Sequence, residues 1–317
     1  MAVRSSPFDT TRTRAWAKVN LTLHVTGRRP DGYHLLDSLI VFAGVGDEIE
    51  IAPAPDLTLT VDGPFAKALS GATTPRAGAG APPANLVMAA AECLRARFGV
   101  TAGAALRLHK HLPVAAGIGG GSADAAATLK GLVRLWGLNA ADAEVAGLGA
   151  TLGADVPVCL AGGACFVGGI GECVDPAPPL PPAWLVLVNP GVPLSTAAVF
   201  AARRGAYSKG IRWRHPISDP HALAARLAEG GNDLEDAARG LVPQLSEVLA
   251  ALERAPGCLL ARMSGSGATC FGLFAGPGAA KDAAARIDAA HPPWWVRAAP
   301  ILDRTMESNT SGMARPR

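Results

Sequence analysis

The run 112-LPVAAGIGGGSADAAATLKGLVRLWG-137 constrains this chain more than any other part of it. Glycine stands at 117, 119, 120 and 121, and an alanine-rich segment follows directly. Glycine loses more conformational freedom on folding than any other residue, so such a cluster needs a backbone reason. The pattern predicts a strand over 103–114, a tight turn, and a helix from near Ser122 to a stop at Gly137. A helix begun in this way presents its first N–H groups, with their partial positive charge, to the space before the turn, which favours an anion. A tight strand-to-helix turn holding no ligand, with Ser122 as its cap, is the other reading of the same residues. Two known phosphate loops are excluded. The Walker pattern needs a lysine after the glycines, and none occurs between Pro113 and Lys130; the dinucleotide pattern needs a third glycine where Ser122 stands.

The rest of the chain narrows the class. Its 317 residues suggest two domains, and 17% charged residues with mean hydropathy +0.24 argue against disorder. A net charge of +3 without a dense Lys/Arg run favours small anionic ligands and speaks against nucleic-acid binding. No apolar stretch approaches the roughly 18 residues of a membrane span, so a cytoplasmic protein is expected. Basic residues are mostly arginine, and the six lysines (18, 67, 110, 130, 209, 281) draw attention to Lys18 and Lys110. The six cysteines (93, 159, 165, 173, 258, 270) show no metal spacing and read as buried thiols. His109 and His111 share one side of a strand, but no third metal ligand is evident from spacing.

The expected organisation is a flexible lead over 1–14, one domain over 15–167, a second over 168–305, and a tail over 306–317. Strands are predicted over 15–27, 37–45, 47–53 and 56–63, with Pro30, Asp31 and Gly32 marking a turn between the first two. A low-complexity surface loop is expected over 70–84, then a helix from Asn85 to a stop at Gly99. A helix over 141–153 precedes renewed β character over 154–169, with Asp155 as a turn residue and Pro157 helping a strand begin. A strand over 184–191, helices through 219–254, a strand pair near 257–275, a helix near 278–290 and a segment over 294–302 complete an α+β pattern.

Two further stretches bear on the glycine loop: 263-MSGSGATCFGLF-274 and 151-TLGADVPVCL-160. Together with 113-PVAAGIGGGSADAA-126, in this order, they resemble the motifs of the GHMP kinases (galacto-, homoserine, mevalonate and phosphomevalonate kinases). The stretches 17-AKVNLTLHVTGRRPDGYHLL-36, 153-GADVP-157, 189-NPGVPLST-196 and 231-GNDLE-235 resemble one branch of that family, whose alcohol substrate carries a cytidine diphosphate. The most specific piece is GRRPDGYH. The resemblance spans residues 15–275. It implies a two-domain α+β fold, with an N-terminal ATP-binding α/β domain, a C-terminal α+β sandwich domain and an active site in the cleft between them. It also implies phosphoryl transfer from ATP, with Mg²⁺, to a hydroxyl of a cytidyl diphosphate sugar alcohol, a step of isoprenoid precursor synthesis.

The resemblance also implies roles. Asp155 matches the catalytic aspartate that takes the proton of the attacking alcohol, and Lys18 the lysine that stabilises charge beside it; half of a structural ion pair is the alternative for each. Asn20, two residues from Lys18 and on the same strand face, matches a substrate contact, as does Thr196. Tyr33 and Phe200 match residues at the cytosine ring and His34 its edge, although without the resemblance the two aromatics read as core. Pro113, Gly117, Gly119, Gly120, Gly121 and Ser122 match the triphosphate cradle. Lys110 and Asn85 match the adenosine side, while alone they read as a solvated strand residue and a helix cap. Asp124, in the first turn after the loop, reads as a complement to the helix dipole. The chain departs from the family at Ala123, where a second serine is usual, and at Asn189, where histidine commonly precedes Pro190 and Gly191. A different GHMP kinase, or a silent nucleotide-binding member, is the competing reading. Tyr33, His34 and Phe200 argue against the first, Lys18 and Asp155 against the second.

Overall fold

A computed structural model describes residues 10–69 and 85–303. The expected loop over 70–84 and the tail from 306 lie outside the described residues, as does most of the lead. The chain forms two compact units. The first takes residues up to 17, 46–114 and 119–161; the second takes 18–45, 115–118 and 162 onward. Each is built from several stretches of chain, whereas the sequence suggests one cut at 167/168.

Among the described residues the strands are β1 (Thr11–Asn20), β2 (His24–Arg28), β3 (His34–Ala54), β4 (Leu57–Asp62), β5 (Gly103–His109), β6 (Cys165–Gly169), β7 (Cys173–Pro176), β8 (Trp184–Asn189), β9 (Cys258–Met263), β10 (Cys270–Phe274) and β11 (Trp295–Pro300). The helices are α1 (Leu86–Phe98), α2 (Gly120–Leu135), α3 (Asp142–Leu152), α4 (Val156–Ala161), α5 (Thr196–Ala202), α6 (Pro220–Ala228), α7 (Glu235–Leu241), α8 (Gln244–Glu253) and α9 (Pro277–Ala290).

In the first unit the second half of β3 pairs antiparallel with β5, with Ile49 opposite Leu108 and Ile51 opposite Leu106, and β4 lies parallel on the other side of β5. Those four side chains are buried, as are Val87 and Leu94 of α1 and Leu129 and Leu132 of α2. Each such burial is worth about 1.5–3 kcal/mol of transfer free energy. In the second unit the first half of β3 pairs with β2 and β6, and β7 lies beyond β6. A separate four-stranded antiparallel sheet has the order β11-β8-β10-β9. Val186 and Val188 of β8, Phe274 of β10, Leu245, Val248 and Leu252 of α8 and Ile287 of α9 share its core.

Several local expectations change. β1 begins at Thr11 instead of 15, because Arg12 and Arg14 point outward to Glu50 and Glu48 at 2.8 and 3.0 Å and extend the strand into the expected lead. The strand predicted over 15–27 breaks after Asn20, where the Thr22 hydroxyl, in place of a backbone carbonyl, accepts the Leu39 N–H at 3.0 Å. The separate strands at 37–45 and 47–53 are one strand, β3. Gly46 is no turn: a Cβ there would stand 2.2 Å from the Ala15 carbonyl oxygen, so it marks close passage of a neighbouring strand. The β character expected from 154 is wrong as far as Ala161, since α4 occupies 156–161. Pro157 is tolerated in its first turn because no N–H is needed there. The helix at Asn85 keeps its expected limits: the Asn85 side chain accepts the Val87 N–H at 2.9 Å, and Gly99 ends the helix at φ 61°.

Candidate active site

In the second unit, Lys18 and Asn20 lie at the end of β1, 6% and 4% exposed. The Lys18 N–H donates to the Ile118 carbonyl at 3.0 Å, which joins this strand end to the glycine loop. Asn20 is held from two sides. Its backbone N–H donates to the Ser264 hydroxyl at 3.0 Å, and its side-chain Nδ2 donates to the Ser38 hydroxyl at 2.7 Å. Ser38 in turn donates to the Thr22 carbonyl at 2.5 Å, so its oxygen must accept from Asn20. This fixes the orientation of the amide and leaves Asn20 Oδ1 buried with no protein partner. A buried acceptor is costly unless something donates to it.

The 263–274 stretch closes around the same loop. Ser264 donates from its hydroxyl to the Gly117 carbonyl at 3.1 Å, and the Thr269 N–H donates to the Ala116 carbonyl at 3.1 Å. A Cβ on Gly117 would stand 2.5 Å from the Gly267 oxygen and 2.7 Å from the Ser264 oxygen, and its φ is 74°. The first glycine of the run is thus required by the approach of another backbone. Asn232, in the 231–235 motif, donates from Nδ2 to the Met263 and Gly265 carbonyls at 2.8 Å each and accepts the Leu234 N–H at 3.0 Å. Asn189 donates to the Thr269 hydroxyl at 3.0 Å and accepts the Gly191 N–H at 2.8 Å, so the residue that departs from the family ties its own turn to the same web.

The residues expected at the cytosine ring gather in the second unit. The His34 and Phe200 rings stack with centroids 5.0 Å apart and planes at 24°. Tyr33, next in the chain, is 63% exposed, so it is no core aromatic. The turn before it is closed by the Asp31 carboxylate accepting the Tyr33 N–H at 3.2 Å and by the Gly32 N–H donating to Arg29 at 3.0 Å. Burial, with the charges of Arg28 and Arg203 adding, holds His34 below its ordinary 6.5, so the ring is neutral at pH 7 and one nitrogen accepts while the other donates. Thr196 opens α5, four residues before Phe200, and its hydroxyl lies 2.8 Å from that of Ser266.

In the first unit, Pro113 is buried and follows the chain out of β5. Gly119 caps α2 with φ 64° and no side-chain hydrogen bond, so Ser122 stands inside the helix, which starts two residues earlier than expected. Gly121 is exposed and Ser122 half-buried, while Ala123 is buried and could not offer its missing hydroxyl outward. Lys110 is not a solvated strand residue. Its side chain is 3% exposed, and its ammonium donates to Asp47 at 2.5 Å and Asp124 at 2.7 Å. Burial opposes its charge, yet the two carboxylates together raise its pKa. Burial pushes the Asp124 carboxyl up to about 8, with Lys110 opposing and Asp47 adding to the rise. Asp124 is therefore more than a complement to the helix dipole. Asp155 stands half-buried immediately before α4, where its carbonyl accepts the Cys159 N–H at 3.1 Å.

The His109 and His111 pair does not act together, since His111 is exposed. Strand pairing brings Glu48 and Glu50 to His109 instead, which no spacing in the chain displays. Those carboxylates already carry Arg12 and Arg14, and His109 meets Asp62 at 2.5 Å, so the cluster is a laced ion-pair ladder. Among the cysteines, Cys159, Cys165 and Cys270 are buried as expected, while Cys173 on β7 is exposed.

Sequence reasoning missed Ser38, Thr22 and Asp47, which are ordinary polar residues until the strands pair. The motif around Ser264–Gly267 is expected from the family resemblance to pack against the substrate pocket, whereas no role for Asn232 follows from its segment.

Comparison with known proteins accords with this arrangement. The description "GHMP kinases N terminal domain" fits residues 85–163, and "GHMP kinases C terminal" fits residues 214–292. A protein of Paramagnetospirillum magneticum named 4-diphosphocytidyl-2-C-methyl-D-erythritol kinase is 54% identical over 286 residues, which cover 90% of this chain and 96% of that one. One of the same name from Rhodospirillum rubrum is 49% identical over 297 residues, 94% of each chain. A crystal structure of 4-(cytidine 5'-diphospho)-2C-methyl-D-erythritol kinase superposes with TM-score 0.73 at 32% identity, over 92% of this chain and 100% of that one. Homoserine kinase from Cytophaga hutchinsonii shares the fold, with TM-score 0.67 at 18% identity. With the glycine loop, the 263–274 turn and the Tyr33-His34 turn all in place, the chain belongs to the GHMP kinases and, among them, to the 4-diphosphocytidyl-2-C-methyl-D-erythritol kinase family.

Proposed function

We propose that this protein transfers the γ-phosphoryl group of ATP to the 2-hydroxyl of 4-diphosphocytidyl-2-C-methyl-D-erythritol, giving the 2-phosphate and ADP, in the methylerythritol phosphate route to isoprenoid precursors. The observation that carries the reading is the buried acceptor Oδ1 of Asn20, whose orientation is dictated by Ser38 and which an alcohol would satisfy by donating to it. The stacked His34 and Phe200 beside exposed Tyr33 support a flat, hydrogen-bonding ring as the remote end of the same substrate.

In this reading Asp155 takes the proton of the attacking hydroxyl, and Lys18 stabilises the alkoxide and the transferring phosphoryl group. Thr196 joins Asn20 on the substrate side. The backbone N–H groups of Gly119, Gly120 and Gly121, with the Ser122 hydroxyl, receive the phosphates. Pro113 and Gly117 shape the loop, while Asn85 and Lys110 form the wall behind its nucleotide side. Mg²⁺ neutralises phosphate charge when ATP is bound. Asp124 is buried and one of its oxygens holds Lys110, so it is not assigned as a ligand of that ion. No helix among the described residues is long and apolar enough to cross a membrane. We place the enzyme in the cytoplasm, acting on small molecules and not on nucleic acid.

The test is ADP release from Mg·ATP with the cytidyl alcohol, with mevalonate and homoserine in parallel. Release with the first alone supports the reading; release with another alcohol alone overturns the cytidine assignment. In Asp155→Asn, turnover falls by about 10²–10⁴-fold with ATP binding kept, and undiminished turnover refutes Asp155 as the base.

A further inference from the structure

We propose that Asp47 is a positioning residue for the nucleotide loop, its buried carboxylate fixing the backbone that leads into the loop and, through Lys110, the helix that leads out. The inference deepens the kinase reading and rests on it.

Asp47 is 0% exposed. One carboxylate oxygen accepts the N–H groups of His111 and Leu112 at 2.5 and 2.8 Å. The other accepts the Lys110 ammonium at 2.5 Å. Pro113 follows Leu112 directly, so these bonds set the direction in which the chain leaves β5. Lys110 continues to Asp124 of α2 at 2.7 Å, and its Nζ lies 3.1 Å from where a Cβ on Gly120 would stand. The ammonium thus sits under the first turn of α2. One carboxylate holds both stems of the glycine turn within the first unit.

The two aspartates are not equivalent. Asp47 has three donors, the His111 and Leu112 N–H groups and the Lys110 ammonium. Asp124 has one donor, its other oxygen is buried without a partner, and burial raises its pKa. The charged groups facing it are Lys110, from the residue after β5, and Asp47 of β3.

The experiment varies ATP and the alcohol separately in steady-state kinetics, with ATP binding by the wild-type protein measured directly. In Asp47→Asn the KM for ATP rises by about tenfold, as expected for a lost charge-assisted anchor, with the KM for the alcohol within about twofold. Asp124→Asn, which keeps an oxygen to accept from the Lys110 ammonium, raises the KM for ATP less than about threefold at pH 7. Asp62→Asn, in the surface pair with Arg107, is the control for a carboxylate outside the triad. The double variant Lys110→Met with Asp47→Asn removes both buried charges, and it shows the same rise for ATP if the single variant does not fold. Equal changes in both KM values, or no change in either, overturn the inference. A wild-type protein that binds no ATP overturns the kinase reading itself.

Discussion

The two units stabilise their parts of the glycine loop by opposite means. The first uses three ionisable groups, Asp47, Lys110 and Asp124, with the ammonium at 2.5 and 2.7 Å from its two carboxylates. The second uses neutral groups: Asn20, Ser38, Thr22, Ser264, Asn232, Thr269 and Asn189, each sharing one to three bonds of ordinary length. A buried charge has few acceptable partners, so losing one strands the rest. A neutral web loses one bond at a time, and its members re-pair more cheaply. The charged triad gives an all-or-none latch, and the amide and hydroxyl web a graded one.

That contrast breaks first at Lys110. Lys110→Met leaves Asp47 buried without its counter-ion and lowers stability by about 3–5 kcal/mol in urea unfolding; a loss under about 1 kcal/mol would make the latch no different from the web. In the web, Asn232→Ala removes three bonds yet costs about 1–3 kcal/mol, and Ser264→Ala sits at the low end of that range by the same measurement. A larger loss at Ser264 than at Lys110 would reverse the comparison.

pH sharpens it from both sides. Asp124 is raised from 3.8 to about 8, so its contribution to stability is full below 3.8 and is lost as pH rises towards 8; Asp124→Asn should remove that slope. His24 in the second unit is lowered from 6.5, chiefly by burial, and its Nδ1 meets the Ser208 hydroxyl at 3.0 Å while Nε2 is buried without a partner. Its contribution is therefore full above 6.5 and lost as pH falls through the lowered value. Urea midpoints across pH 5–9 for the wild type, Asp124→Asn and His24→Gln separate the two slopes, and a His24→Gln curve that keeps the acid loss refutes its assignment to His24. The smallest effect belongs to the surface ladder. Arg12→Ala, whose side chain is 69% exposed, changes stability by less than about 1 kcal/mol and less still in high salt.

Much of the fold was readable because it rests on local chemistry. Asn85 and Gly99 bound α1 as a capping asparagine and a stop glycine should, and the turn at Pro30, Asp31 and Gly32 forms where its residues place it. Reading failed where a neighbour decided the outcome. Gly46 resembles a break but lies mid-strand because β1 passes against it, and Val156 to Ala161 resemble a strand but form a helix. The site shows the same division. Tyr33, His34, Thr196 and Phe200 stand in recognisable segments, and the His34 and Phe200 rings meet only when α5 and β3 fold together.

The sequence alone determined the α+β class, the glycine loop with its following helix, and the ordered motifs that mark the family. These depend on neighbours within a few positions, where backbone preference and spacing speak directly. Only the tertiary structure decided that Asp47 reaches Lys110 across 63 positions, that Asn20 meets Ser264 across 244, and that burial raises the Asp124 pKa. The reason is burial: a polar group's partner, and for a carboxyl its proton, are chosen by whatever the fold packs against it once water has gone.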